Sequence, residues 1–239
     1  MTGQPTVVLL HGLLGFVHLF GLDYFRGVPR LLAESGFRVL TPALPKVASI
    51  QVRANALAGL LERQPGPLHL IGHSMGGLDA RYYITHLGGH DKVKSLTTLC
   101  TPHRGSELAA AVCRWPLLCH VPAFRDLTPA ALWQFNAETP DHPDVRYFSY
   151  AAARPVREIP WQLRPLSARL AAKEGAMDAL VSVSSARWSG YRACYPADHF
   201  EMVGQNYLFS ARSRQAFDHL KVYDEIASSL QRLVDNADA

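Results

Sequence analysis

The stretch of sequence that decides the fold is residues 68–81, LHLIGHSMGGLDAR. At its centre, Gly72–Gly76 matches the GxSxG pentapeptide of a nucleophile elbow, in which a serine lies on a sharp turn between a strand and a helix. The apolar run Leu68–Ile71 predicts a buried strand before the turn, and apolar residues recur at helical spacing after it. In such a turn the serine takes a positive φ, and side chains in place of the two glycines would clash with their neighbours. Ser74 is therefore a candidate nucleophile.

Strand and helix patterns alternate outward from this stretch. Short apolar runs predict strands at Val7–Leu10, Phe37–Leu40, Leu68–Ile71, Leu96–Cys100, Val145–Tyr150, Leu180–Val183 and Tyr191–Tyr195. Periodic patterns predict helices at Tyr24–Ser35, Asn55–Arg63, Gly76–His86 and Ser213–Asn236. Such alternation is typical of parallel βαβ units. We therefore predict one α/β domain over residues 1–239, with a mostly parallel, doubly wound sheet that the C-terminal helix closes.

Two segments, about 103–143 and 153–175, break this alternation. Their apolar and aromatic residues fit strands badly, and both segments are too apolar for long loops. We interpret them as a small helical cap, or lid, above the sheet. Ordinary packing helices of the core are the alternative interpretation.

Composition limits the partners and the compartment. The formal net charge is +4, but the Arg and Lys residues are scattered and form no basic run, which argues against a nucleic-acid partner. The N-terminus reaches the first predicted strand without the features of a signal peptide, and no transmembrane stretch is visible. We therefore expect a cytoplasmic protein. A secreted protein whose leader had been removed would have the same sequence.

The spacing of the four cysteines does not match a metal site. They are Cys100, Cys113, Cys119 and Cys194. Free thiols are the expectation for a reducing compartment. A small disulfide loop from Cys113 to Cys119 is the alternative, and it would imply secretion.

A serine nucleophile needs a base, and the base needs a carboxylate that fixes its tautomer and stabilises its cation. On scaffolds with this elbow the order along the chain is Ser, acid, His. Of the 11 histidines, only His199 and His219 follow the second irregular segment. His219 falls within the predicted C-terminal helix, whereas His199 follows the last predicted strand, where open α/β sheets bind ligands. We predict His199 as the base.

Asp178 is the predicted acid, and Asp144 is its main rival. Asp178 occupies a glycine-containing loop ahead of the run Leu180–Val183. Asp79 lies on the helix of the elbow itself, and Asp198 is adjacent to the base and would point elsewhere.

The oxyanion formed by attack on a carbonyl needs two N–H donors, one from the residue after the nucleophile and one from a loop near the first strand. Met75 follows the nucleophile. The segment His11–Gly15, HGLLG, directly follows the first predicted strand and offers the amide of Leu13. We predict Leu13 and Met75 as the oxyanion-hole residues; the alternative is that His11–Gly15 is a glycine-rich turn without a catalytic role.

Five segments in order along the chain make it resemble the bacterial triacylglycerol lipases of the Pseudomonas and Burkholderia type and their relatives, in the α/β-hydrolase superfamily. The segments are Val7–Phe16 (VVLLHGLLGF), Leu70–Arg81 (LIGHSMGGLDAR), Thr101–Ser106 (TPHRGS), Met177–Val181 (MDALV) and the region of His199. The resemblance implies an α/β-hydrolase fold, the triad Ser74, Asp178 and His199, and the oxyanion donors Leu13 and Met75. It also implies hydrolysis of medium- to long-chain acyl esters.

Lipases of this family often hold a structural calcium ion near the base. Glu201 and Gln205 match two of its ligand positions here, although Glu stands where Asp is usual, and Glu158 is the candidate for the more distant acidic ligand. Calcium prefers several hard oxygen ligands. The alternative is a hydrogen-bonded or solvated pair of side chains, and we expect no cofactor to be required for the reaction. The cap is also shorter than in the large secreted members, so we expect a small lid.

The motifs together predict a serine carboxylester hydrolase, a lipase or esterase that acts on glycerides through an acyl-enzyme on Ser74. A thioesterase, amidase or acyltransferase would use the same triad and differ in its pocket. A non-catalytic lipid-binding protein is the alternative from another class. We expect a monomer whose partners are a lipid or small ester substrate and a lipid–water interface.

Overall fold

Eight strands and nine α-helices lie in the parts of the chain that the computed structural model describes, residues 4–15, 17–19, 22–159, 161, 164–205 and 217–235. The strands are β1 (Thr6–Leu10), β2 (His18–Leu19), β3 (Leu22–Asp23), β4 (Arg38–Leu40), β5 (Leu68–His73), β6 (Val93–Leu99), β7 (Arg146–Ala152) and β8 (Tyr191–Tyr195). The helices are α1 (Val28–Glu34), α2 (Ile50–Leu61), α3 (Met75–His86), α4 (Glu107–Val112), α5 (Pro122–Asp126), α6 (Pro129–Glu138), α7 (Arg164–Glu174), α8 (Val183–Ala186) and α9 (His219–Asp235).

Six of the strands form one sheet in the order β4-β1-β5-β6-β7-β8, and every neighbouring pair in it is parallel. The other two, β2 and β3, form a short antiparallel pair. The register places Val8 of β1 between Leu40 of β4 and Leu70 of β5. All parallel strands end at the same edge of the sheet, so the loops after β1, β5 and β8 are brought together there.

Alternate residues of the central strands enter two separate cores, one on each face of the sheet. On one face, residues of β1 and β5 pack against α1 and α9: Val7, Leu9, Val28, Leu32, Ile71, Val222, Ile226 and Leu230. On the other face, they pack against α2 and α3: Val8, Leu10, Ala54, Leu57, Leu61, Leu70, Ala80 and Ile84. A sheet buried on both faces is the reason for its nearly continuous apolar strands. The doubly wound, parallel α/β fold predicted from the sequence is confirmed.

Several predicted boundaries differ from the structure. The predicted strand Leu180–Val183 is wrong, because these residues form a tight turn that leads into α8. Helix α1 begins at Val28 after a turn, four residues later than predicted. Helix α2 begins at Ile50, earlier than predicted, because the side chain of Ser49 caps it by accepting a hydrogen bond from the amide of Val52. In the predicted helix 213–236, residues 213–216 and 236 lie outside the described residues.

The first irregular segment, 103–143, contains α4, α5 and α6, and the second, 153–175, contains a single turn of 3-10 helix (Val156–Glu158) and all of α7. Buried residues of α4, α5 and α6 form one apolar cluster with Met75 and Leu78 in the first turn of α3. Among the described helices, none is both long enough and apolar enough to cross a bilayer.

Candidate active site

Ser74 occupies the turn between β5 and α3 with a φ of 55° and a ψ of −130°. This backbone conformation is strained for a residue with a side chain. The end of β6 supports it: the amide of Ser74 donates to the carbonyl of Leu99 at 2.9 Å, and Oγ1 of Thr101 donates to the carbonyl of Ser74 at 2.8 Å. A Cβ atom at Gly72 would lie 2.6 Å from Cα of Gly77, so the turn requires glycine there. The segment has the geometry of a nucleophile elbow.

The carboxylate of Asp178 lies against the imidazole of His199. Oδ2 of Asp178 is 2.7 Å from Nδ1 of His199, and the two side chains are 1% and 4% exposed. Because a carboxylate accepts hydrogen bonds, the ring proton lies on Nδ1, and Nε2 is left to accept a proton. The rival acid, Asp144, has an 81% exposed side chain that faces His142 instead.

The second oxygen of Asp178 is held by the backbone of its own loop. Oδ1 accepts from the amides of Leu180 at 2.9 Å and Val181 at 2.7 Å. The amide of His199 in turn donates to the carbonyl of Asp178 at 2.8 Å. These contacts explain why the predicted strand Leu180–Val183 does not form: its first amides bind a carboxylate rather than a neighbouring strand.

The loop after β1 is organised by a buried, neutral histidine. The amide of Leu44 donates to Nε2 of His11 at 3.0 Å, so the proton of the ring lies on Nδ1 and is donated to the carbonyl of Gly12 at 2.9 Å. Burial lowers the pKa of His11 to about 4, which keeps the ring neutral at neutral pH. Leu14 has a positive φ of 57°, and its amide donates to the carbonyl of Lys46 at 2.9 Å.

The two amides predicted to form the oxyanion hole are left available by this arrangement. Met75 is the first residue of α3, so its N–H has no partner within the helix. Within the described ranges, no protein acceptor takes the amide of Leu13 or of Met75. Leu13 also lines the same cavity as Ser74.

That cavity has a volume of about 480 Å³, and both Ser74 and His199 line it. Most of its other walls are apolar and come from the loop after β1, from α4 and α5, and from the loop around Asp178. These apolar residues are Leu13, Leu14, Leu108, Ala109, Val112, Phe124, Leu127, Leu180, Val181 and Phe200. The cavity therefore offers an apolar chamber with a hydroxyl and an imidazole in its wall.

An ion pair beneath the elbow joins α2, α3 and the loop after β1. Nε and Nη2 of Arg53 lie 2.8 Å from Oδ2 of Asp79, and both side chains are fully buried. Arg53 also donates to the carbonyls of His11 at 2.7 Å and Pro45 at 2.6 Å. Burial raises the pKa of Asp79 to about 7 even beside the guanidinium. Asp79 therefore has a structural partner away from the base.

A family model for the alpha/beta hydrolase family matches residues 7–235. The chain belongs to the alpha/beta hydrolase family. Triacylglycerol lipase 2 of Saccharomyces cerevisiae is 33% identical over an alignment of 215 residues, which covers 79% of this chain and 64% of that protein. The triacylglycerol lipase of Pseudomonas fragi is 35% identical over 108 residues, 43% of this chain and 36% of that protein. The chain thus spans less than two thirds of the length of these relatives.

Solved structures of lipases and esterases share the fold of this family member. The structure of a metagenomic carboxyl esterase superposes with a TM-score of 0.80 over 97% of this chain and 77% of that chain, at 20% identity. The Staphylococcus hyicus lipase superposes with a TM-score of 0.78 over 100% of this chain and 98% of that chain, at 17% identity. At these identities the likeness shows a common fold.

The candidate calcium ligands are engaged with other groups. Both carboxylate oxygens of Glu201 accept hydrogen bonds from Arg154, and Glu158 lies 3.4 Å from the same guanidinium. The side-chain amide of Gln205 donates to the carbonyls of Asp23 and Tyr24. Calcium needs six to eight oxygen ligands and no neighbouring positive charge, so these residues do not fit a calcium site.

His73, inside the elbow pentapeptide, joins three parts of the site and was not singled out in the sequence. Its Nε2 donates to the carbonyl of His199 at 3.0 Å, so its Nδ1 accepts from the hydroxyl of Tyr24 at 2.7 Å. The oxygen of that hydroxyl accepts from the amide of Gly12 at 3.2 Å. Burial lowers the pKa of His73 well below its usual 6.5. The only signal in the sequence was a histidine beside the serine.

The four cysteines are free thiols, and the thiol of Cys119 donates to the carbonyl of Pro116 at 2.9 Å. Cys100 is fully buried behind the carboxylate of Asp178, and burial raises the pKa of its thiol well above the usual range. The disulfide considered between Cys113 and Cys119 is not present in this structure.

Proposed function

We propose that this protein is a serine carboxylester hydrolase with the character of a lipase. The observation that carries the proposal is the buried 2.7 Å pair of Asp178 and His199, which opens on the same apolar cavity as Ser74 on its strained turn. Lipases among its relatives support an ester of a fatty acid as the substrate.

In the first half of the reaction, Nε2 of His199 takes the proton of the Ser74 hydroxyl as its oxygen attacks the ester carbonyl. Asp178 holds the imidazole in the tautomer that has Nε2 free and stabilises the imidazolium that forms. His199 then returns the proton to the departing alcohol and leaves an acyl group on Ser74. Water repeats the sequence and releases the acid.

The amides of Leu13 and Met75 bind the carbonyl oxygen once it carries negative charge. Donors of this kind are each worth about 2.7–4 kcal/mol of transition-state stabilisation. The neutral ring of His11 holds the turn from which Leu13 donates, and the start of α3 supplies Met75. Both donors are backbone amides, one in the turn that His11 holds and one at the start of α3, so they need little reorganisation during the reaction.

The size and the apolar lining of the cavity support the proposal that the substrate carries an acyl chain of medium to long length. At about 480 Å³ it lies within the range of about 300–1,000 Å³ of small-molecule sites. Exposed apolar residues support contact with a lipid–water interface: Leu14 in the cavity wall is 61% exposed, and Trp115 and Leu117, in the segment after α4, are 69% and 87% exposed. A surface of this kind is unfavourable in water and favourable at a lipid surface.

Turnover of p-nitrophenyl esters from acetate to palmitate tests the proposal. We expect activity that rises to an optimum at octanoate or a longer chain. Ser74→Ala should abolish turnover and labelling by a fluorophosphonate probe, because no other group supplies the nucleophile. Ser189→Ala, on an exposed turn before β8, is the matched control and should keep full activity.

Three outcomes would contradict the proposal in different ways. Turnover retained by Ser74→Ala would exclude the serine mechanism. An optimum at acetate would mean a short-chain esterase rather than a lipase. Faster turnover of acyl-CoA or an amide than of any ester would assign the same triad to a thioesterase or an amidase.

A further inference from the structure

One guanidinium forms hydrogen bonds that restrain the loop carrying His199. It belongs to Arg154, two residues after the end of β7, and its Nε and Nη2 donate to the two carboxylate oxygens of Glu201, each at 3.0 Å. Nη1 lies 3.4 Å from Oε2 of Glu158. The side chains of Arg154 and Glu201 are only 7% and 11% exposed. A planar guanidinium that binds a carboxylate with two parallel bonds is the strongest ion-pair geometry available to side chains.

Glu201 passes this restraint on to the backbone on both sides of the base. Its Oε2 also accepts from the amide of Asp198 at 2.7 Å. Oδ1 of Asp198 accepts from the amides of Phe200 and Glu201, each at 2.8 Å. His199 lies inside this turn, so the position of its ring depends on the carboxylate that Arg154 holds.

The same residue restrains the acid through its backbone. The amide of Arg154 donates to the carbonyl of Met177 at 3.0 Å, one residue before Asp178. The amide of His199 donates to the carbonyl of Asp178 at 2.8 Å. Arg154 therefore contacts the acid loop with its main chain and the base loop with its side chain.

We propose that Arg154 is a positioning residue that takes the role of a structural cation, and that its guanidinium, rather than a bound metal ion, fixes the loop of His199. The carboxylate of Glu201, the candidate calcium ligand, already accepts two hydrogen bonds from a positive charge, and a divalent ion beside that charge would be repelled. A guanidinium is part of the chain and is not removed by chelators. Its effect on turnover rests on the proposed function; its effects on stability and metal binding do not.

The wild-type protein provides the first test. Dialysis against EDTA should change neither the melting temperature, which tryptophan fluorescence follows, nor the rate of ester turnover. Added CaCl₂ should also leave both quantities unchanged. Isothermal titration with CaCl₂ should give no saturable heat. A calcium-dependent rise in melting temperature, or activity that is lost in EDTA and restored by calcium, would overturn the proposal.

Substitutions of Arg154 provide the second test. Arg154→Met leaves a nearly buried carboxylate unpaired, and the melting temperature should fall by about 10 °C. Well below that temperature, kcat for a soluble ester should fall about tenfold to a hundredfold with KM nearly unchanged, since misplacement of the base affects chemistry more than binding. Arg154→Lys keeps the charge without the bidentate fork, and it should recover part of kcat. Arg157→Met removes an 83% exposed guanidinium 3.8 Å from Glu158 and is the control.

Equal kcat in Arg154→Met and wild type, or a loss confined to KM, would refute the positioning role. So would a Lys variant no better than the Met variant. If Arg154→Met does not fold, the double variant Arg154→Met/Glu201→Gln decides: removal of the unpaired charge should restore folding, with kcat still reduced. Recovery of full kcat in the double variant would overturn the proposal. If Ser74→Ala keeps its activity, the proposed function fails while the metal and stability tests of Arg154 still stand.

Discussion

Replacement of Asp178 by asparagine changes one atom that faces His199 and leaves the shape of the side chain intact. Oδ1 accepts from the amides of Leu180 and Val181, so the amide oxygen of the new asparagine must stay on that side. An NH₂ group there would face two N–H donors. The side-chain nitrogen is therefore forced to lie where Oδ2 is now, 2.7 Å from Nδ1 of His199.

A donor at this position reverses the tautomer of the imidazole. Nδ1 must accept, the proton moves to Nε2, and Nε2 no longer takes the proton of Ser74. In triads of this type a wrong tautomer lowers kcat about 10⁴-fold, or about 5.4 kcal/mol of barrier. The free energy of unfolding should change by no more than about 1–2 kcal/mol, because the backbone contacts remain.

The assay is kcat for p-nitrophenyl octanoate at pH 7.5, together with a urea unfolding curve of each variant. Asp144→Asn is the matched control, since that carboxylate is 81% exposed and does not face the base. A rate for Asp178→Asn within about tenfold of wild type, with an unchanged unfolding curve, would refute the assigned tautomer and with it the role of Asp178.

Three further predictions concern residues that support the site. Arg53→Met should lower the free energy of unfolding, measured in urea, by about 3–5 kcal/mol, because the fully buried carboxylate of Asp79 loses its partner. Arg30→Met, which removes an exposed guanidinium, is the control. An equal loss of stability in both variants would contradict the importance of the buried ion pair. Burial raises the pKa of Asp79 from 3.8 to about 7, so the folded state binds more protons than the unfolded state between these values and this group lowers stability as pH rises through that window. Unfolding curves of Asp79→Asn should lack this part of the pH dependence, and an unchanged slope would exclude the assigned pKa. Tyr24→Phe should lower kcat and cost about 1–3 kcal/mol of stability, because Nδ1 of buried His73 loses its hydrogen-bond donor. A variant with the kcat and the stability of the wild type would show that the hydrogen bond between Tyr24 and His73 is unimportant.

The position of a residue could be predicted where it depends on a short stretch of sequence. The elbow around Ser74 needs glycines at fixed positions, and the turn at His11–Gly15 directly follows a strand, so local spacing was sufficient for both. His199 followed from the order of elements along the chain. The parallel, doubly wound sheet followed from the alternation of apolar runs and helical patterns.

What could not be predicted depends on contacts between distant segments. The run Leu180–Val183 has the composition of a strand, but its first amides bind Asp178 and its side chains line the cavity. Tyr24 fits a helical pattern, but its hydroxyl joins the loop of Gly12 to His73. The pairing of Arg154 with Glu201 joins residues that no local pattern connects. In each case a tertiary hydrogen bond outweighs a local preference.

The cavity and the reacting groups come from different parts of the chain. Ser74, Asp178 and His199 lie on the turn after β5 and on two loops at the edge of the sheet, whereas much of the cavity wall comes from α4 and α5, which have only six and five residues. Helices this short depend on packing rather than on their own stability. Substitutions at Leu108, Val112 or Phe124 therefore change the shape of the cavity at positions outside the turn of Ser74 and the loops of Asp178 and His199. The shape of the cavity can therefore change in evolution independently of the arrangement of Ser74, Asp178 and His199.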